Sequence, residues 1–181
     1  MIRTQVGYAG GTKKNPTYYS LGNHSETIEI EFDPTKISYK QLLDIFWESH
    51  MPTSPSYSPQ YASFVFVHNE DQQKLAHESK KQIEEKKGQK VYTEIVAAGT
   101  FYPAESYHQK YYMKKYETLV KELSTLYEGQ SDVSKSTAAA RVNGYLGGNR
   151  NLETLTRQLK ELGLSPGMVD KIASALRGTS R

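Results

Sequence analysis

Aromatic and acidic side chains gather in short runs that also carry glycine, asparagine or proline. They are Gly7-Tyr8-Ala9-Gly10-Gly11, Asn15-Pro16-Thr17-Tyr18 and Asn23-His24-Ser25-Glu26, followed later by Gln60-Tyr61 and the stretch from Phe101 to Gln109. Carboxyl and phenol groups can hold and donate protons. Other reactive types are scarce. The chain has no cysteine, which excludes a disulfide scaffold, thiolate metal sites and any cysteine nucleophile within these residues. The five histidines, His24, His50, His68, His77 and His108, show no metal-ligand spacing and no HExxH pattern, so they read as solvent-facing or core-satisfied imidazoles and no metal is expected. There is no GxxxxGK[ST] loop, and the glycines at 7, 10 and 11 lack the spacing of a dinucleotide site. No cofactor is expected, and GYAGG reads as a turn in which glycine permits positive φ.

Composition bounds the partners. In 181 residues, 23 Lys and Arg stand against 20 Asp and Glu, a net charge of +3 without a concentrated basic patch, so neither nucleic acid nor an anionic membrane is expected as a partner. No apolar run approaches the roughly 18 residues of a membrane span, and Met-Ile-Arg-Thr-Gln has no signal-peptide core, which makes a soluble intracellular protein the default. Aromatics at 11%, with 14 Tyr, imply a core or groove built partly from phenols.

Periodicity places the elements that would hold these side chains. Residues 26–32 alternate, with Ile28, Ile30 and Phe32 on one face, predicting a half-buried strand. Ser38 and Gln41 have capping-box spacing ahead of a helix over about 39–50, in which Trp47 reads as core. Pro52, Pro55 and Pro59 make the next stretch a loop. A strand over about 61–68, a charge-rich helix over about 70–87 ended by Gly88, a strand over about 90–97 and a long helix over about 104–127 follow. In that last helix Tyr107, Tyr111, Leu119, Val120, Leu123 and Leu126 lie on or near one face.

Residues 128–137 are polar and read as a linker. Beyond it come three short amphipathic helices, over 138–146, 151–162 and from Ser165-Pro166 onward, with serine and proline in the N-cap and first positions of the last. The expected division is a domain over 1–127, a linker over 128–137 and a helical extension over 138–181.

The ordered series GYAGG, NPTY, NHSE, DPTKISYKQLLDIFWESH, QY and FYPAESYHQKY resembles the class A peptide methionine sulfoxide reductases over about residues 4–116. The resemblance implies an α+β fold, a ferredoxin-like α/β roll, here lacking its first strand and helix and followed by the helical extension. It also implies reduction of the S-epimer of methionine sulfoxide, free or in oxidised proteins, with thioredoxin or another thiol as reductant, and so a role in protein repair under oxidative stress. In that family a cysteine in a Gly-Cys-Phe-Trp-Gly motif attacks sulfur, while a glutamic acid and two tyrosines hold and protonate the oxygen. Glu26 matches the acid, and Tyr18 and Tyr61 match the phenols. A carboxyl partly shut from water stays protonated more readily, and phenols add oriented donors.

This sequence departs from the pattern. The nucleophile motif would lie upstream of Ile2, the resolving cysteines are missing, and an aspartate expected before Gln60-Tyr61 gives way to Pro55-Ser56-Tyr57-Ser58-Pro59. Sulfoxide reduction moves two electrons, and a serine, threonine or tyrosine oxygen cannot cycle through sulfenic acid and disulfide. The 181 residues alone are therefore expected not to turn over. They read as a fragment or pseudoenzyme whose hydrophobic area and strand edge would be open to water. A thioredoxin partner is expected only for a longer form, and the expected location is cytoplasmic, or mitochondrial for that longer form. Two other roles remain open: a non-catalytic module that binds methionine sulfoxide peptides, and an interaction protein acting through residues 138–181, whose amphipathic pattern suits packing on the domain or a partner groove.

Overall fold

The computed structural model describes residues 2–125, 133–148 and 151–177. The architecture is α+β, and packing divides it into two compact units, one of Val6–Glu105 and one joining Ile2–Gln5 to Ser106–Arg181.

In the first unit, strands β1 (Arg3–Ala9), whose first residues belong to the second unit, β2 (Ser25–Glu31) and β5 (Tyr102–Pro103) form a sheet in the order β2-β1-β5. β1 and β5 are antiparallel, with Gly7 opposite Pro103 and Tyr8 opposite Tyr102. Strands β3 (Phe64–Val67) and β4 (Glu94–Ala97) form a separate parallel pair. Parallel neighbours need a long crossover, supplied by helix α2 (Glu70–Lys87), which Asn69 caps and Gly88 ends at φ 61°. Helix α1 (Tyr39–Glu48) begins with the capping box expected from Ser38 and Gln41, both halves of which are formed. Its Leu43 and Trp47 pack with Val65, Val67, Ala76 and Val91. Trp47 is core, and its indole donates to Ser79 Oγ at 3.0 Å, so the polar edge is satisfied where it is buried.

Two elements of this unit escape sequence patterning. β1 has mostly polar or small residues, RTQVGYA, without a clean alternation, and β5 is only two residues long. β2 forms where expected, but its isoleucine face is not buried: Ile28 is 56% and Ile30 36% exposed. β2 is a sheet edge, and this face opens into a groove of about 340 Å³ shared with β3 and α1, lined by Leu42, Phe46, Phe64 and Phe66.

In the second unit, the long helix expected over 104–127 is divided. Residues 106–110 are turns, and Lys110 takes a left-handed φ of 51°. Helix α3 (Tyr111–Lys114) is a single turn, and Tyr116 (φ −120°, ψ 89°) interrupts the chain before helix α4 (Glu117–Ser124). The break rotates the chain: Tyr107 and Tyr111 are half exposed, while Gln109 and Lys110 are buried, the Lys110 ammonium donating to Thr4 O at 2.7 Å. Leu126 lies outside the described residues. The three C-terminal helices form as expected: α5 (Thr137–Leu146), α6 (Leu152–Glu161) and α7 (Pro166–Arg177), started by Ser136, Asn151 and Ser165 accepting from backbone amides. They share one core with α3 and α4, built on Met113, Leu119, Leu123, Val142, Leu159 and Ile172. Residues 128–132 of the expected linker lie outside the described residues. Val133–Lys135 form a 3-10 turn leading to the cap of α5.

Candidate functional site

Glu26 stands at the start of β2, beside the buried Ser25. After the proline loop the chain makes one 3-10 turn, Pro59–Tyr61, whose first position proline suits. Two hydrogen bonds tie that turn to the strand: Ser25 Oγ donates to Pro59 O, and Gln60 Nε2 donates to Glu26 Oε1 at 2.7 Å. The Tyr61 phenol consequently lies in the field of the Glu26 carboxylate, which is the main reason its ionisation is pushed above that of an ordinary phenol. Slight burial, Tyr18 and Tyr57 add to the same direction. Tyr57 and Tyr61 are neighbours, with ring centroids 5.7 Å apart.

Tyr18 is placed from the other side. Its backbone amide donates to Glu105 Oε1 at 3.0 Å, and the buried Tyr8 hydroxyl donates to Glu105 Oε2 at 2.7 Å. A carboxylate accepts both without competition. Glu105 thus links the NPTY segment to β1, while Gln60 links the QY segment to Glu26.

The Tyr61 phenol lies within electrostatic reach of both Glu26 and Tyr18, with Tyr18 39% and Tyr61 50% exposed. Glu26 itself is exposed. The shielding from water on which a proton-donating carboxyl would rely is therefore not supplied by the residues around it, and its Oε1 accepts a hydrogen bond from the Gln60 amide.

Next to Tyr61 lies an open cleft of about 670 Å³, walled by the 51–59 loop and by Tyr92 and Glu94. His50 borders it with both ring nitrogens engaged. Nδ1 donates to Phe46 O at 2.8 Å, which leaves Nε2 to accept from Ser63 Oγ at 3.1 Å. His24, 1% exposed, is also structural: its Nε2 donates to Lys13 O and its Nδ1 accepts from the Gly11 amide. Among the described residues no group of three or more His, Cys, Asp or Glu side chains is placed to hold a metal, and no helix is long and apolar enough to cross a membrane.

Gln60, Ser25 and Glu105 stand within the sequence motifs, but nothing in the motifs themselves gives these three a part in placing the site. The signal available was adjacency, since Gln60 precedes Tyr61 and Ser25 precedes Glu26. Glu105 lies 87 residues from Tyr18, and only the folded chain joins them.

Residues 1–151 match the sequence family described as Peptide methionine sulfoxide reductase. The chain is 41% identical over 169 residues to a peptide methionine sulfoxide reductase of Drosophila melanogaster, covering 92% of this chain and 67% of that protein. It is 38% identical over 151 residues to peptide methionine sulfoxide reductase A5 of Arabidopsis thaliana, covering 80% and 59%. The chain thus spans about three fifths to two thirds of the length of these relatives. Among solved structures it resembles methionine sulfoxide reductase A of Corynebacterium diphtheriae, with a TM-score of 0.54 at 29% identity over 64% of each chain. It also resembles reduced Mxr1 of Saccharomyces cerevisiae, with a TM-score of 0.55 at 26% identity over 73% of this chain and 75% of that one. By sequence and by fold, this chain belongs to the peptide methionine sulfoxide reductase family.

Proposed function

We propose that these residues form the oxygen-binding half of a methionine S-sulfoxide site, with Tyr18, Glu26 and Tyr61 around the sulfoxide oxygen, and that the 181-residue chain binds this side chain in peptides without reducing it. The observation that carries the reading is the convergence of Glu26 with Tyr61 and Tyr18, held by Gln60 and Glu105, in a member of this family. A sulfoxide oxygen carries strong partial negative charge and accepts hydrogen bonds, and two phenols supply donors for it. Glu26 contributes by holding Gln60, and with it the turn that carries Tyr61, against β2.

Electron supply limits the chemistry. Reduction of the sulfoxide needs a group that gives up two electrons and is then restored, and this sequence holds no cysteine to do so. Thioredoxin, the reductant that the family resemblance implies, has no disulfide to act on in these residues. A longer form carrying the cysteine motif would be the thioredoxin-dependent repair enzyme.

Titration calorimetry with a peptide carrying methionine S-sulfoxide tests the binding. Saturable heat that Tyr61→Phe weakens, and none with the unoxidised peptide, is the expected result; no heat from either peptide sinks the binding role. Turnover of the same peptide with dithiothreitol should be nil, and genuine reduction by the purified chain would overturn the inactivity.

A further inference from the structure

The cleft beside Tyr61 belongs to none of the roles described so far. We infer that it binds a lysine or arginine side chain flanking the oxidised methionine, so that the site selects methionine sulfoxide in basic sequence contexts. This inference rests on the sulfoxide-binding reading and adds a specificity to it.

Three observations carry it. First, the cleft presents aromatic faces: Tyr57 is 88%, Tyr61 50% and Tyr92 43% exposed, and the Tyr57 and Tyr61 rings are tilted by 51° to each other. Exposed tyrosine faces attract a cation through the ring quadrupole. One ring already does this within the chain, since the Lys90 ammonium sits 5.1 Å from the centroid of Tyr92 and leaves Tyr57 and Tyr61 as the faces for an incoming cation.

Second, the charge in the lining itself is negative. Among the described residues that line the cleft, Glu94, exposed at the start of β4, is the carboxylate, and none is lysine or arginine. Glu26 adds negative potential at Tyr61. His50 spends Nδ1 on Phe46 O and Nε2 on Ser63 Oγ. Of the nearby cations, Lys80 is bound to Thr93 O at 2.8 Å and Lys90 lies on Tyr92. A long side chain with an apolar stem and a cationic head matches this lining: the stem lies against Met51 and the rings while the head meets Glu94.

Third, the cleft is adjacent to the sulfoxide site and firmly walled. Tyr61 belongs to both. The wall is anchored through the buried Pro52, whose carbonyl accepts from the Tyr92 amide at 2.8 Å, and through Ser63 O, which accepts from the Glu94 amide at 2.9 Å. A cleft held open in the free protein spends little of the binding free energy on ordering itself.

The test uses the full chain and three synthetic peptides with methionine S-sulfoxide at the centre, flanked on both sides by lysine, alanine or glutamate. Calorimetry at low salt should give affinity in the order lysine, alanine, glutamate, with lysine about three- to tenfold tighter than alanine, as an exposed cation–π contact and an ion pair together allow. The advantage should shrink as salt screens it. Tyr57→Ala and Glu94→Gln should each lower the lysine-to-alanine affinity ratio. Equal affinity for the lysine and alanine peptides, or preference for glutamate, overturns this inference while leaving sulfoxide binding standing. If no sulfoxide peptide binds, the underlying reading and this one both fall.

Discussion

Replacing Gly7 by alanine tests how the site is suspended from the sheet. A Cβ built there would lie 2.3 Å from Tyr102 O and 2.4 Å from Phe101 Cζ. Carbon contacts are comfortable at roughly 3.5–4.0 Å, so each overlap exceeds about 1 Å. The Phe101 ring can rotate away. Tyr102 O is backbone, and β1 and β5 meet over only two residue pairs, so the strands must part at the Gly7–Pro103 rung. Overpacking of this kind costs about 1–3 kcal/mol, and the backbone partner places Gly7→Ala near the upper end, about 2–3 kcal/mol. Trp47 is the sole tryptophan and belongs to the core of the same unit, so its fluorescence reports urea unfolding of that unit directly. With a slope of about 1–2 kcal/mol per molar urea, the midpoint should fall by about 1–3 M. Because Tyr8 follows Gly7 and holds Glu105, which holds Tyr18, binding of the sulfoxide peptide should weaken in parallel. A midpoint within about 0.3 M of the parent, in which the slope makes the shift negligible, would refute the close β1–β5 approach on which this reasoning stands.

The Glu26 carboxylate is the main cause of the raised Tyr61 ionisation, because a neighbouring negative charge disfavours the phenolate. Glu26→Gln should therefore lower the pH at which Tyr61 titrates, read by NMR with ring-labelled tyrosine; an unchanged or higher midpoint would show that the two groups are not neighbours. In the helical unit, Leu159 is fully buried, and Leu159→Ala should cost about 2–5 kcal/mol, measured by loss of helical circular dichroism on denaturation. Gly144 lies inside α5 with nothing within 4 Å of an added Cβ, so Gly144→Ala should stabilise the same unit by about 0.5–1 kcal/mol through helix propensity, and a loss of stability would count against that open setting.

The sequence by itself determined the features governed by neighbours in the chain. Ser38 and Gln41 specify their capping box within four residues, Ser136, Asn151 and Ser165 start their helices, and Trp47 follows the apolar stripe of α1 into the core. Zero cysteines likewise bound the redox chemistry of these residues whatever their fold. The tertiary structure decided what depends on distant partners. β1 exists because β2 and β5 accept its backbone, although its own residues carry little strand pattern. The alternation in β2 correctly marked a strand, yet alternation shows only that two faces differ; whether Ile28 and Ile30 are covered depends on what else packs there. The stretch 104–127 has helical periodicity on paper, but it breaks at Lys110, which takes a left-handed φ and whose ammonium donates to the distant Thr4 O. The site followed the same rule. The family resemblance of the motif series pointed to Tyr18, Glu26 and Tyr61 as candidates, while Glu105 holds the Tyr18 amide and Gln60 the Glu26 carboxylate across 87 and 34 residues, because a hydrogen bond depends on distance in space and not along the chain.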